Sequence, residues 1–205
     1  MSGTIKFLGI DSNYDDDTKI IYDYRNGKVY PYITQFTRNL EMRQGQLATR
    51  EKVEEIAIDP EIKYITGSGH GDKSTFKGHM GEYIFKKKCP LRRKGYSKEE
   101  VMDKIIHLTS CFTADTLGND FVDKGCTAFF GYSHYFLYPD ENHRHLLFDC
   151  DSQIDHSIAE GDSHEIAYAK AFEYYQTTIE ELIEDGKDDI AAQIRGNFDC
   201  FEYLY

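Results

Sequence analysis

No apolar run in the 205 residues approaches the length of a membrane span. The opening stretch MSGTIKFLGIDS has neither the charged region nor the apolar region of a signal peptide. Both absences predict a cytoplasmic protein. The five cysteines (Cys89, Cys111, Cys126, Cys150 and Cys200) are odd in number, scattered, and form no CxxC pair. That argues against a disulfide framework and fits a reducing compartment, where a thiol is free to act as a nucleophile. Internal repeats, low-complexity tracts and Pro/Ser-rich linkers are also missing, which favours one domain over residues 1–205. A net charge of −12 argues against nucleic acid as a partner. Most of the excess acid falls after Asp140, as expected of a solvated helical face.

What is present alternates. Ile5–Ile10 reads as a short strand, and KIIYDY and KVYPYI flank Asn26-Gly27, a strong hairpin signal. Thr49 is placed to cap a helix that Pro60 ends, and the apolar strand Ile62–Thr66 follows. Thr75–Phe85 reads as a second hairpin. Ser97 with Glu100 forms a capping box before a short helix, and Ile105–Ser110 is a buried strand. A helix through Leu117 and Phe121 closes at Gly125, and Cys126–Tyr132 is a third buried strand. A second capping box, Asp162 with Glu165, opens a long helix ending at Gly186; a helix over Asp188–Arg195 and a strand over Phe198–Tyr203 complete the chain. The pattern predicts an α/β fold: a three-layer α/β/α sandwich with a mainly parallel sheet and edge hairpins. Residues 1–48 form an N-terminal strand and hairpin, 49–135 a core, and 136–205 an acidic helical part.

Two strand ends carry the candidate chemistry. His70 lies just past Ile62–Thr66, and Cys111 directly follows Ile105–Ser110. If both strands run parallel in one sheet, both residues emerge at its carboxyl edge, where open α/β sheets place ligand sites. A free thiol is mostly protonated at neutral pH, with a pKa of ~8.5. A neighbouring imidazole can take its proton and later protonate a leaving amine. The N-terminus of the helix after Cys111 is expected to favour the thiolate. The N–H groups of Gly71 and Cys111 are expected to form an oxyanion hole.

The runs Tyr64-Ile-Thr-Gly-Ser-Gly-His-Gly71, Ile106-His-Leu-Thr-Ser-Cys111 and Gly125-Cys-Thr-Ala-Phe-Phe-Gly-Tyr132 resemble the caspase, gingipain, clostripain and legumain superfamily. There, a hydrophobic strand ends in His-Gly and the next ends in a small residue before the nucleophilic Cys. Ile158–Gly161 with Glu165–Ala167 resembles a late helix opening of gingipain-like members. The resemblance implies a caspase-like cysteine endopeptidase with His70 and Cys111 as dyad, a peptide or protein substrate, an activating partner protein in some members, and no metal or organic cofactor. It also implies that Ser133 and His134 line the substrate cleft and that Asp140 faces a basic side chain. The chain departs from the pattern at Ser110, where many relatives have Ala, and at Thr109, where clostripain-like members have an acid.

Rival readings rest on other residues. Gly67-Ser-Gly-His-Gly-Asp-Lys-Ser74 nearly matches a phosphate-binding loop, with Asp72 where Gly should precede Lys73. A catalytically silent interaction module is a further reading, since a fold can outlive its chemistry. His143 and His145 with Cys150 lack the spacing of a closed zinc site. The basic run Lys86–Lys94, between the dyad residues, is a candidate for self-cleavage.

Overall fold

The computed structural model describes residues 5–87 and 95–205. The chain runs β1 (Lys6–Asp11), α1 (Asp16–Tyr24), a π-helical turn (Arg25–Val29), α2 (Tyr30–Phe36), β2 (Leu40–Gln44), α3 (Arg50–Ala57) and β3 (Ile62–Ser68). Next come β4 (His70–Asp72), β5 (Thr75–Lys77), β6 (Tyr83–Lys86), β7 (Ile105–Thr109), α4 (Leu117–Asp123) and β8 (Ala128–Tyr132). The last third holds α5 (Arg144–Asp151), α6 (Gln153–Glu160), α7 (His164–Glu184), α8 (Asp188–Phe198) and β9 (Phe201–Leu204).

Six strands form the central sheet in the order β2-β1-β3-β7-β8-β9, all parallel except β9. The pleat sends alternate side chains to opposite faces. Phe7, Tyr64, Phe130 and Tyr132 join the core under α1, α2 and α5 to α8. Leu8, Ile65, Leu108 and Phe129 join the core under α3, α4 and the β5–β6 hairpin. Helices therefore cover both faces, as a parallel sheet requires, and the α/β layering matches expectation. No helix among the described residues is long and apolar enough to cross a membrane.

The region around Asn26-Gly27 is helical, against the expected hairpin. Ile21, Arg25, Val29 and Ile33 are all buried and recur every four residues, the spacing of a helix face. Asp15 caps α1 with a capping box to Thr18. Gly27 has open space around it, and the Asn26 side chain donates back to the Tyr22 carbonyl. The Asn-Gly pair thus sits on the solvent side of the π turn, where it costs little.

Smaller differences have similar causes. The Ser97 amide donates to Glu100 as expected, but Arg50 also grips Glu100 at 2.5 and 2.6 Å, and the segment stays a set of turns. The cap of α7 is Ser163, while Asp162 turns away to Ser157 and Lys170. Helices α5 and α6 fall within residues 136–205, expected to be helical as a whole, and the short edge strand β2 lies outside the strands expected. Gly67–Ser74 runs through strand ends into β5 instead of a helix, and Asp72 accepts from the Ser74 amide and the Thr75 hydroxyl.

Candidate active site

Strands β3 and β7 are hydrogen-bonded parallel neighbours, with Ser68 opposite Thr109. Two residues beyond each partner stand His70 and Cys111, so the same register delivers both to the carboxyl edge of the sheet. A second observation locates the two loops against each other. A Cβ added to Gly71 would lie 2.4 Å from Ser110 Oγ and 2.5 Å from the Cys111 carbonyl oxygen. Only a residue without a side chain lets the His70–Gly71 backbone lie this close to the cysteine.

His70 is held by a residue the sequence reading missed. Its Nε2 is 2.7 Å from Asp15 Oδ2, and the other carboxylate oxygen takes the Thr18 amide at 2.9 Å and the Thr18 hydroxyl at 2.7 Å. Burial alone would raise the Asp15 pKa; the Thr18 hydrogen bonds and then His70 outweigh it and hold the carboxyl below its ordinary value. An ionised carboxylate accepts only, so His70 Nε2 carries a proton, and in the neutral ring the lone pair is left on Nδ1. Tyr14 packs edge-on against the imidazole with ring centroids 5.9 Å apart, inside the range of about 4.5–7 Å usual for such pairs. Asp15 had a signal: Asp-x-x-Thr opening an amphipathic stretch is a helix start, lost when the stretch was read as a hairpin.

Cys111 is partly buried, and its Sγ accepts from the Phe136 amide at 3.4 Å. Burial pushes its pKa up, the Phe136 amide opposes this, and the negative field of Asp17 adds to the rise. The expected help from a helix N-terminus is absent. Helix α4 begins six residues later, and the Thr116 and Leu117 amides donate to the Lys73 carbonyl. The thiol and the imidazole make no direct hydrogen bond with each other among the described residues. The resting thiol is therefore neutral, and the oriented imidazole stands on the adjoining turn. Among the described residues the Cys111 amide makes no backbone hydrogen bond to another residue; its N–H acts on its own sulfur.

The remaining candidates are dispersed. The Ser133 hydroxyl donates to the Cys200 carbonyl and to Glu202, on the β9 side. His134 is exposed and forms a ring cluster with Phe112 and Tyr135, next to Cys111. Asp140 is exposed, and its carboxylate accepts from the Asn142 amide and the His143 ring in a local turn. Cys150 is buried against Thr178. Of the basic run, residues 88–94, Cys89 included, lie outside the described residues. The four described cysteines are unpaired.

Comparison of the chain with protein-family models, curated proteins and solved structures found no match. The functional reading therefore rests on the geometry.

Proposed function

We propose that the protein is a caspase-like cysteine endopeptidase with Cys111 as nucleophile, His70 as proton carrier and Asp15 as the group that orients His70. The observation that carries the reading is the contact of Gly71 with Ser110 and Cys111, which seats the imidazole-bearing turn against the thiol-bearing turn. Adjacent parallel strands in register make that contact a product of the fold.

The chemistry follows from the protonation states. As Cys111 Sγ attacks a scissile carbonyl carbon, its proton passes to His70 Nδ1, giving an imidazolium whose Nε2–H is stabilised by Asp15. The carbonyl electrons move to oxygen, and the Gly71 and Cys111 N–H groups are the donors for that oxyanion. Collapse expels the amine, which takes the proton from His70 and leaves a thioester on Cys111. Water, deprotonated by His70, then hydrolyses the thioester and returns the thiol. No step calls on a metal or an organic cofactor. A raised thiol pKa means that proton transfer accompanies attack, instead of preceding it as in a thiolate–imidazolium pair.

A second reading, a silent interaction module on the same fold, draws on one observation: the Cys111 thiol is bonded to Phe136 and not to His70. Hydrolysis of a fluorogenic peptide panel ending in Arg, Lys, Asp or Asn separates the two. Turnover that disappears in both Cys111→Ala and His70→Ala supports the peptidase. Turnover surviving in Cys111→Ala removes Cys111 as the nucleophile, and no turnover with any peptide favours the silent module. Loss of preference for Arg and Lys removes the role of Asp140.

A further inference from the structure

The strand ends that carry the dyad are joined from beneath by a line of buried charges. Asp11, at the end of β1, accepts from the Ser68 amide at 2.9 Å and the Ser68 hydroxyl at 2.8 Å. Arg25 Nε donates to the same carboxylate at 2.9 Å, and Arg25 Nη1 donates to Asp155 at 3.1 Å. His107 lies between Asp155, 3.4 Å from Nδ1, and Asp151, 3.2 Å from Nε2. Asp151 also accepts from the Thr109 hydroxyl at 2.7 Å. The line therefore runs from Ser68, two residues before His70, to Thr109, two residues before Cys111. Every member is buried: Arg25 is 2% exposed, Asp151 4%, and Asp11, Asp155 and His107 0%.

Sheet pairing does not require this arrangement, because β3 and β7 already share backbone hydrogen bonds at Ser68 and Thr109. Buried ions of this kind are costly relative to apolar packing, and their best-attested use is to fix one arrangement among several. Arg25 is the natural centre. Its planar fork reaches Asp11, Asp155, Thr66 (2.6 Å) and Tyr30 (3.2 Å) at once, a geometry that an ammonium cannot reproduce. It occupies the π turn that directly continues α1, the helix whose first turn holds Asp15 against His70. Such local widenings of a helix recur at functional sites. One helical element therefore touches the imidazole through Asp15 and reaches both strand ends through Arg25 and its carboxylate partners.

We propose that Arg25 is a positioning residue for the dyad: through Asp11–Ser68 on one side and Asp155–His107–Asp151–Thr109 on the other, it sets the approach of His70 to Cys111. The proposal rests on the peptidase reading for its catalytic meaning. Its structural content is independent of that reading, since the reactivity of the Cys111 thiol can be followed in the absence of a substrate.

Three measurements on the full chain test it: the alkylation rate of Cys111 by iodoacetamide, read by intact mass and peptide mapping; kcat and KM on a cleaved peptide; and thermal unfolding. Arg25→Lys keeps the charge and removes the fork. It is expected to lower kcat by at least about tenfold, as small misplacements of reacting groups do, with KM within about twofold. It is also expected to bring Cys111 alkylation to the rate of a His70→Ala variant. Should Arg25→Lys fail to fold, Ser68→Ala and Thr109→Val make milder cuts at the two ends. Their effects on Cys111 alkylation are expected to be non-additive, and additive when Arg25 is replaced by Met in a chain that folds. A folded Arg25→Lys chain with wild-type alkylation and kcat overturns the proposal, as do additive effects of Ser68→Ala and Thr109→Val with Arg25 intact. Failure of the peptidase reading looks different: the wild type cleaves no peptide, while alkylation still reports whether Arg25 governs the thiol.

Discussion

Replacing Asp15 by Asn separates two jobs that one carboxylate performs. Oδ1 caps α1 through Thr18, and Oδ2 holds the imidazole. Asn caps helices about as well as Asp, so the helix start should survive, and the melting temperature should barely move. The hydrogen bond to His70 changes in kind. An amide can donate to Nε2 as well as accept from it, which allows the tautomer with the proton on Nδ1, the wrong nitrogen for receiving the Cys111 proton. A hydrogen bond to a charged group contributes about 1.5–3 kcal/mol in general. The two side chains are 38% and 35% exposed, so solvent screening leaves about 1–1.5 kcal/mol here. That corresponds to a loss of about tenfold in kcat. Asp15→Ala should show the same loss plus the missing cap, about 1 kcal/mol, or about 2–4 °C in a chain of this size. The assay is peptide hydrolysis beside thermal melts, with the ¹⁵N shifts of His70 reporting the tautomer. Asp15→Asn with kcat within twofold of wild type and an unchanged tautomer would refute the orienting role.

Other consequences are equally direct. Gly71→Ala should remove activity by at least about a hundredfold, because the new methyl collides with backbone at Cys111; overpacking of this kind costs about 1–3 kcal/mol, visible as a lower melting temperature. Because burial raises the Cys111 pKa, alkylation by iodoacetamide should be slower at pH 7 than that of a free thiol and should climb through the alkaline range; a plateau reached by pH 7 would contradict the neutral resting thiol. Burial alone would strip the proton from His107, but the Asp151 and Asp155 carboxylates outweigh it and raise the pKa from 6.5 to about 9. A pKa raised on folding stabilises fully below about pH 6.5 and is lost as pH rises through about 9. The difference, about 3 kcal/mol, should appear as a fall in unfolding free energy across that window and be absent in His107→Gln.

The legible parts of the sequence were those with a local signature. Ile62–Thr66 and Ile105–Ser110 are short apolar runs bounded by turn residues, and β3 and β7 occupy them. Their adjacency put His70 and Cys111 at one edge, which follows from strand order and direction. Gly125 and Gly186, at positive φ, ended helices where expected. The stretch from Lys19 to Ile33 misled because Asn-Gly is a strong turn signal considered alone; burial at every fourth residue, which needs the sheet to be in place, outweighs it. The buried polar line was illegible for a different reason. Asp11, Ser68, His107 and Thr109 sit at alternate strand positions, a pattern that ordinarily marks a solvent-facing side. Here that side faces Arg25, Asp151 and Asp155, brought in from helices more than a hundred residues apart in sequence. The help expected from a helix dipole at Cys111 failed on distance, since six residues of turn precede α4. Asp15 was hidden behind the hairpin assignment, not behind chemistry.

The central claim is that the sulfur of Cys111 acts as a nucleophile with the assistance of His70. Incubation with a peptidyl acyloxymethyl ketone, followed by intact mass and peptide mapping, tests it in one step. The account requires a single adduct on Cys111 that forms at least about a hundredfold more slowly in His70→Ala. An adduct on another cysteine, or equal labelling of Cys111 with and without His70, would contradict it.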